Sequence, residues 1–311
     1  MRQNGTAPAM KKRSRFARVD KSLYLMLIPG AVILAIYSYA PILGLQIAFK
    51  KFDIVKGIWG SPWVGLDNFK YIFFSYPGFG RIVFNTVYIA ILKMIFRYIT
   101  PIVVALLLNE VMHVKFKRTV QTLVYLPHFI SWIVVCGLMI SILSPSDGAL
   151  NEVLKAFGME PVYFLGNKST FRPVLIISDV WKEFGYGTII YMAALTSIDP
   201  SLYEAATIDR ANRFQKVIYI TLPGIAPIAV LVGILGLGSL LSAGFDQIFN
   251  LYNPLVYDVA DVLDTFTYRL GIMNAQYDLS TAVSCVTSFT NAGLVMVSYF
   301  IAYKVAGYRP F

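Results

Sequence analysis

Cysteine and charge are both scarce in this chain. Of its 311 residues only two are cysteine, Cys136 and Cys285. Both lie inside long apolar runs, which argues against a disulfide framework or a zinc site and reads as two small buried apolar side chains. Charged residues make up 14%, against about 25% in an average soluble domain, and hydrophobic residues reach 57%, against about 45–50%. That balance excludes disorder and argues against a soluble enzyme. The first 21 residues hold no apolar stretch, so no cleavable signal peptide is expected. No paired-carboxylate or triad arrangement points to catalysis, and no metal-ligand set stands out.

What the chain does have is length without charge. A bilayer core of about 30 Å needs roughly 20 apolar residues in a helix. Ser22–Phe49, Thr119–Ser146, Val217–Phe245 and Leu279–Tyr303 carry no charged residue at all. Ile82–Leu108 is interrupted only by Lys93 and Arg97, and Pro173–Ile198 only by Asp179, Lys182 and Glu183. The expectation is an all-α integral membrane protein with six transmembrane helices. An even number of spans puts both termini on one side of the membrane.

The basic residues choose that side. With both termini in the cytoplasm, fifteen of the 27 Lys and Arg lie inside and nine outside, and three sit within the spans. The net charge of +10 is then almost wholly cytoplasmic, most of it in the basic segment 1–21, and reads as an orientation signal with no nucleic-acid partner implied. Residues 22–311 form the six-span domain. The outer segments 50–81, 147–172 and 246–278 are long and aromatic, with Trp59 and Trp63 in the first. They suit either an outer lip or simple interfacial anchoring.

The charges within the spans are costly, about 2.5–3.5 kcal/mol each at mid-bilayer, so they face protein or water. Lys93 and Arg97 share one helix face, and Asp179, Lys182 and Glu183 cluster on another span. Pairing of the second span with the fourth is expected to neutralise them, in preference to substrate contact. The fifth span is expected to end in residues 246–250, and Asp246, Gln247 and Asn250 with neighbouring Tyr252 combine planar polar groups with a ring, which suits a sugar path. Local capping of the helix end is the competing account. His128, after Pro127 in the third span, reads as packing more readily than as a proton relay. The Gly233, Gly236, Gly238, Ser239, Ser242 and Gly244 stripe permits close helix packing.

Between the fourth and fifth expected spans lies loop 199–222. Asp199 is placed to cap a helix and Pro200 suits its first position. Leu202, Ala205 and Ala206 share a narrow face of small residues, better fitted to a groove on a partner than to lipid. Glu204-Ala205-Ala206, three residues, position 210, nine residues, then Ile220-x-Leu222-Pro223 has the spacing of the EAA loop.

With that loop, the chain resembles the carbohydrate-type permeases of ABC importers, in particular the branch handling polysaccharide-derived oligosaccharides such as alginate, aldouronate or rhamnogalacturonan fragments. The stretches Leu126–Trp132, Ile189–Leu195 and Gly244–Pro254 carry the resemblance further, over the chain from about residue 20 to its end. The resemblance implies the type I importer permease fold, multi-pass in the cell membrane. It implies a loop that docks on an ATPase through Glu204, Ala205, Ala206, Asp209, Arg210, Leu222 and Pro223. The implied partners are two ABC ATPase subunits, a second similar permease in a heterodimer, an extracellular solute-binding protein and an oligosaccharide. The chain has no GxxxxGK[ST] phosphate loop, so ATP and Mg belong to the partner ATPase and no cofactor is expected here. Arg210 stands where the family has glycine; the turn is then expected to be made differently, with Asn212 in the special conformation. An ion-coupled secondary transporter relying on Lys93, Asp179, Glu183 or Asp246 is the alternative. A membrane-embedded glycosyltransferase is disfavoured for want of a carboxylate set.

Overall fold

The computed structural model describes residues 21–238 and 240–306. The basic residues before Lys21, Ser239 and Arg309 lie outside the described residues. Contacts divide the chain into two units, residues 1–46 and 47–311.

The first unit is helical wherever it is described. Helix α1, Lys21–Leu34, passes into a π turn at Ala35–Tyr39 and then a 3₁₀ segment that starts at Ala40. Pro41 has no N–H to give to the turn before it, and the hydrogen-bonding pattern changes there. Every side chain from Leu25 to Leu43 is exposed. The run Leu25–Phe49 is long and apolar enough to cross a bilayer.

The second unit is also helical; among the described residues it holds no strand, only one antiparallel bridge between Lys50 and Trp63. Lys50 lies beneath the Trp63 ring at 4.8 Å, a contact within the aromatic segment 50–81. The principal helices are α2 (Phe79–Glu110), α3 (Val114–Tyr125), α4 (Trp132–Ile142), α5 (Lys168–Thr196), α6 (Pro200–Ile208), α7 (Arg213–Lys216), α8 (Leu222–Leu237), α9 (Phe245–Leu251), α10 (Leu263–Tyr268) and α11 (Tyr277–Ala306). Three runs here, Phe79–Glu110, Arg213–Leu237 and Tyr277–Ile301, cross by length and composition.

Three expected spans differ in detail. The charge-free stretch Thr119–Ser146 is not one straight helix: α3 runs on through a 3₁₀ turn, Leu126–Phe129, and then bends by 102° into α4. Pro127 removes a donor at the break, and Ser131 restarts the helix by accepting from the Val134 N–H. The stretch Val217–Phe245 holds a helix only as far as Leu237; Gly244, at φ 94°, then opens the separate helix α9. Asp246 and Asn250 therefore sit on a short helix of their own, not on the end of the fifth span. The fourth stretch is helical from Lys168 to Thr196 and carries its three charges within that helix.

Helices α2 and α5 form the axis of the unit and pack along each other, with α3 and α8 against α5 and α11 against α8. Close approach is built into α5: a Cβ on Gly185 would lie 1.9 Å from the Val124 carbonyl oxygen of α3. Apolar burial at one end gathers Ile89, Cys136, Phe171 and Ile248, and at the other Ala105, Tyr191 and Ile225. Both cysteines are free and buried.

At the Phe79 end of α2, polar groups lock the connecting segments. Asp258 accepts from Arg81 at 2.6 Å and from Lys168 at 2.5 Å, and these two cations hold its carboxyl below the usual range. Asn85 donates to the carbonyls of Asp258 and Asp261, and Arg269 grips Asp261.

Candidate functional site

Two places concentrate the residues singled out from the sequence: the connection from α6 to α8, and a charged cluster between α2, α4, α5 and α9.

The connection is built as anticipated at its start. Asp199 caps α6 by accepting from the Ser201 N–H at 2.9 Å, and this hydrogen bond holds its carboxyl below the usual range. Pro200 occupies the first turn. The end of α6 differs from expectation. The Arg210 N–H donates to the Thr207 carbonyl and the Ala211 N–H to that of Ala206, the two bonds of a Schellman cap. The left-handed residue of that cap is Arg210 itself, at φ 56°. Asn212 is extended and instead caps α7, exchanging bonds with Gln215 in a capping box. The position where the resemblance implies glycine thus takes the left-handed conformation with an arginine in it. A left-handed non-glycine residue costs about 1–2 kcal/mol, which the two caps around it offset.

Lys216 donates to the Thr207 hydroxyl and Tyr203 meets the Thr221 hydroxyl, bracing α6 against the segment that leads into α8. Glu204, Ala205, Asp209 and Arg210 are exposed, Ala206 is half-buried, and Leu222 and Pro223 are exposed at the start of α8. Leu202, Ile208 and Phe214 are exposed beside them, so the connection presents an apolar surface with a carboxylate in it.

In the cluster, Arg97 donates from Nε and Nη2 to the two oxygens of Asp179 at 2.5 and 2.6 Å. Lys93 Nζ lies 3.3 Å from the same carboxylate and donates to the Ala243 carbonyl and to Gln247. The expected pairing of Lys93 and Arg97 with the fourth expected span, here α5, is present. Lys182 and Glu183 do not join it. Lys182 donates to the His128 carbonyl at 2.7 Å and lies over the Trp132 ring, while Glu183 meets His128 Nδ1 at 2.8 Å. The His128 ring stacks on Tyr186 at 4.2 Å. The break between α3 and α4 brings His128 and Trp132 to these charges. The stretch is expected to run as one span; Pro127 is the available signal of the break in the sequence, and the partner across it is not legible there.

Gln247 is fully buried, and its amide donates to the Leu175 carbonyl and the Ser178 hydroxyl while accepting from Lys93. Asn250 donates back to the Asp246 carbonyl one turn earlier on the same short helix. Asp246 is exposed, and Tyr252 is half-buried against Phe249 and Tyr257, its phenol pushed up to about 12 by burial.

A cavity of about 610 Å³ opens beside the cluster between α2 and α8. Lys93, Arg97 and Tyr98 line one wall, and Gly233, Gly236 and Ser242 of the small-residue stripe line the other. Arg97 is 45% exposed while Asp179 is 1% exposed, so the cluster turns its cationic side to the cavity. Among the described residues, no group of three or more His, Cys, Asp or Glu is placed to hold a metal ion.

Three likenesses to known proteins bear on this arrangement. The chain is 40% identical over 285 residues to Protein LplB of Bacillus subtilis (strain 168), covering 92% of this chain and 89% of that one. It is equally identical, over 92% of itself and 88% of the relative, to the polygalacturonan/rhamnogalacturonan transport system permease protein YteP of the same organism. A crystal structure of a bacterial ABC transporter involved in the import of the acidic polysaccharide alginate matches with a TM-score of 0.86 and 40% identity, over 92% of this chain and 96% of that one. The sequence profile described as binding-protein-dependent transport system inner membrane component matches residues 102–305. By sequence over most of its length and by fold, this chain belongs to the family of binding-protein-dependent transport system inner membrane components, the multi-pass membrane permeases of ABC transporters.

Proposed function

We propose that this chain is one transmembrane subunit of an ATP-driven importer of oligosaccharides derived from polysaccharides. The observation that carries the reading is the likeness to the alginate transporter at 40% identity over nearly the whole of both chains. A second crystal structure of that transporter, in complex with an alginate-pentasaccharide-bound periplasmic protein, matches at a TM-score of 0.85. It supports an external binding protein as the source of substrate. Six spans with both termini in the cytoplasm, a second and similar permease beside this one, and two ATPase subunits complete the assembly.

The exposed connection α6–α8 is the docking surface for the ATPase. Glu204 makes the polar contact, Ala205 and Ala206 permit close approach, and the braced Schellman turn at Arg210 transmits the motion to α8 through Leu222 and Pro223. Closing of the ATPase dimer on ATP moves this connection as a rigid piece and rocks the spans between inward-open and outward-open states. Asp246 and Tyr252 remain path candidates, while Gln247, Asp179 and Lys182 hold the scaffold.

Uptake into proteoliposomes tests the reading. A tritiated pool of oligosaccharides from partly hydrolysed plant cell-wall polysaccharide should enter only with ATP, the ATPase subunits and a binding protein. Uptake driven by an ion gradient without ATP would favour a secondary transporter and sink the proposal.

A further inference from the structure

Away from the charged cluster, two helices present the same polar spacing to one cavity. Asp264, Thr267 and Tyr268 stand at i, i+3 and i+4 on α10, and Ser284, Thr287 and Ser288 at i, i+3 and i+4 on α11. With Phe245 of α9 they line an open cavity of about 440 Å³, within the range of about 300–1,000 Å³ common to small-molecule sites. Thr287 donates to its own helix, at Val283. Among the described residues, the Asp264 carboxylate, the Thr267, Ser284 and Ser288 hydroxyls and the Tyr268 phenol have no hydrogen-bond partner. Serines on a membrane helix commonly bond back to the preceding turn, as Ser298 does on α11; Ser284 and Ser288 do not.

Aromatic rings lead to this cavity. Tyr268 meets Phe249 edge-on at 4.8 Å and Phe245 at 5.4 Å; Phe249 in turn meets Tyr252, and Tyr252 meets Tyr257 at 4.9 Å. All five rings are at least partly exposed. A half-exposed ring offers a flat apolar face with, for tyrosine, a polar edge. The lining contains no cation, and the neighbouring Arg269 is held by both oxygens of Asp261. An anionic group entering here would face Asp264 uncompensated. Sugar hydroxyls, which donate as well as accept, match a carboxylate and a row of hydroxyls.

We propose that this cavity is a subsite for a neutral pyranose unit of the transported oligosaccharide. The Tyr268 ring carries the apolar face of the sugar, Asp264 accepts from its hydroxyls, and Ser284, Thr287 and Ser288 supply the remaining hydrogen bonds. The ring run from Tyr257 to Phe245 is the track along which the chain of sugars reaches it. The proposal rests on the importer reading.

The complete transporter in proteoliposomes, with the tritiated cell-wall oligosaccharide pool as probe, gives the test. Uptake per ATP hydrolysed is compared for wild type, Tyr268→Ala, Tyr268→Phe, Asp264→Asn and the Ser284→Ala/Ser288→Ala pair. Tyr268→Ala and the serine pair should lower uptake per ATP about tenfold, and Asp264→Asn and Tyr268→Phe should lower it less, the latter because the ring remains and only its hydroxyl is lost. ATP hydrolysis stimulated by the loaded binding protein, and co-purification of all subunits, should not change. Wild-type uptake per ATP in Tyr268→Ala and in the serine pair overturns the subsite. Loss of the second permease from these variants also overturns it and makes the cavity an interface between subunits. Failure of the wild-type transporter itself to import with ATP overturns the importer reading instead, and this proposal with it.

Discussion

Arg97 and Asp179 face each other across the α2–α5 pair in a two-point contact, with Nε and Nη2 at 2.5 and 2.6 Å from the two carboxylate oxygens. The carboxylate is buried to 1% exposure and also neutralises Lys93, which is 4% exposed. One acid thus serves two cations, and the helices of the central pair are held in register at this level by a charge-assisted fork.

Asp179→Ala leaves Lys93 buried without a counter-charge. Loss of one partner from a buried pair costs about 3–5 kcal/mol, so the variant should melt well below wild type in detergent. Arg97→Gln should be milder, since the guanidinium is half-exposed and Lys93 still has Asp179. Equal melting temperatures for Asp179→Ala and wild type would contradict the central role of this acid.

Arg210 occupies a left-handed position at φ 56°. Arg210→Gly should raise thermal stability slightly, relieving about 1 kcal/mol, and Arg210→Val should lower it by more, because a β-branched residue fits that region worst. Melting curves of the two variants check the sign. A stabilised valine variant would mean that the turn is not made this way in the working protein.

Glu204 stands exposed on α6 with no partner among the described residues. Glu204→Lys should weaken co-purification of the ATPase or uncouple hydrolysis from uptake, while insertion and melting of the permease stay unchanged. Normal coupling in that variant removes the residue from the docking surface.

Gly185 touches the backbone of α3, where an added Cβ would lie 1.9 Å from the Val124 oxygen. Gly185→Val should force α3 and α5 apart and cost at least about 1–3 kcal/mol, seen as a lower melting temperature or failed insertion. A wild-type melt would show that the helices do not approach this closely.

Asp258 is held below its usual pKa, near 3.9, first by Lys168 and then by Arg81. A depressed carboxyl stabilises the fold above its unfolded pKa, and that contribution is lost as pH falls through the folded value. Proteolysis of segment 246–278 should therefore accelerate below about pH 4 in wild type. In Asp258→Asn the segment should be more labile already at neutral pH, with a weaker acid dependence. An unchanged acid profile in the variant would exclude the clamp.

Much of this protein was legible in its sequence for local reasons. Charge-free length announces helices that bury their own backbone bonds in lipid, and the spacing Asp199–Pro200 announces a capped helix start. Charges stranded in spans must find partners, so a pairing of Lys93 and Arg97 with the fourth expected span followed from cost alone. Tertiary structure decided the rest. The bend at Pro127 turned His128 and Trp132 onto Glu183 and Lys182, because a missing donor says that a helix breaks but not where its second half points. Arg210 kept the left-handed turn because caps on both sides hold it, a balance no propensity reveals. Gln247 went into the core and the unspent hydroxyls of α11 met those of α10, since helix periodicity gives each residue a face but only packing decides what that face meets.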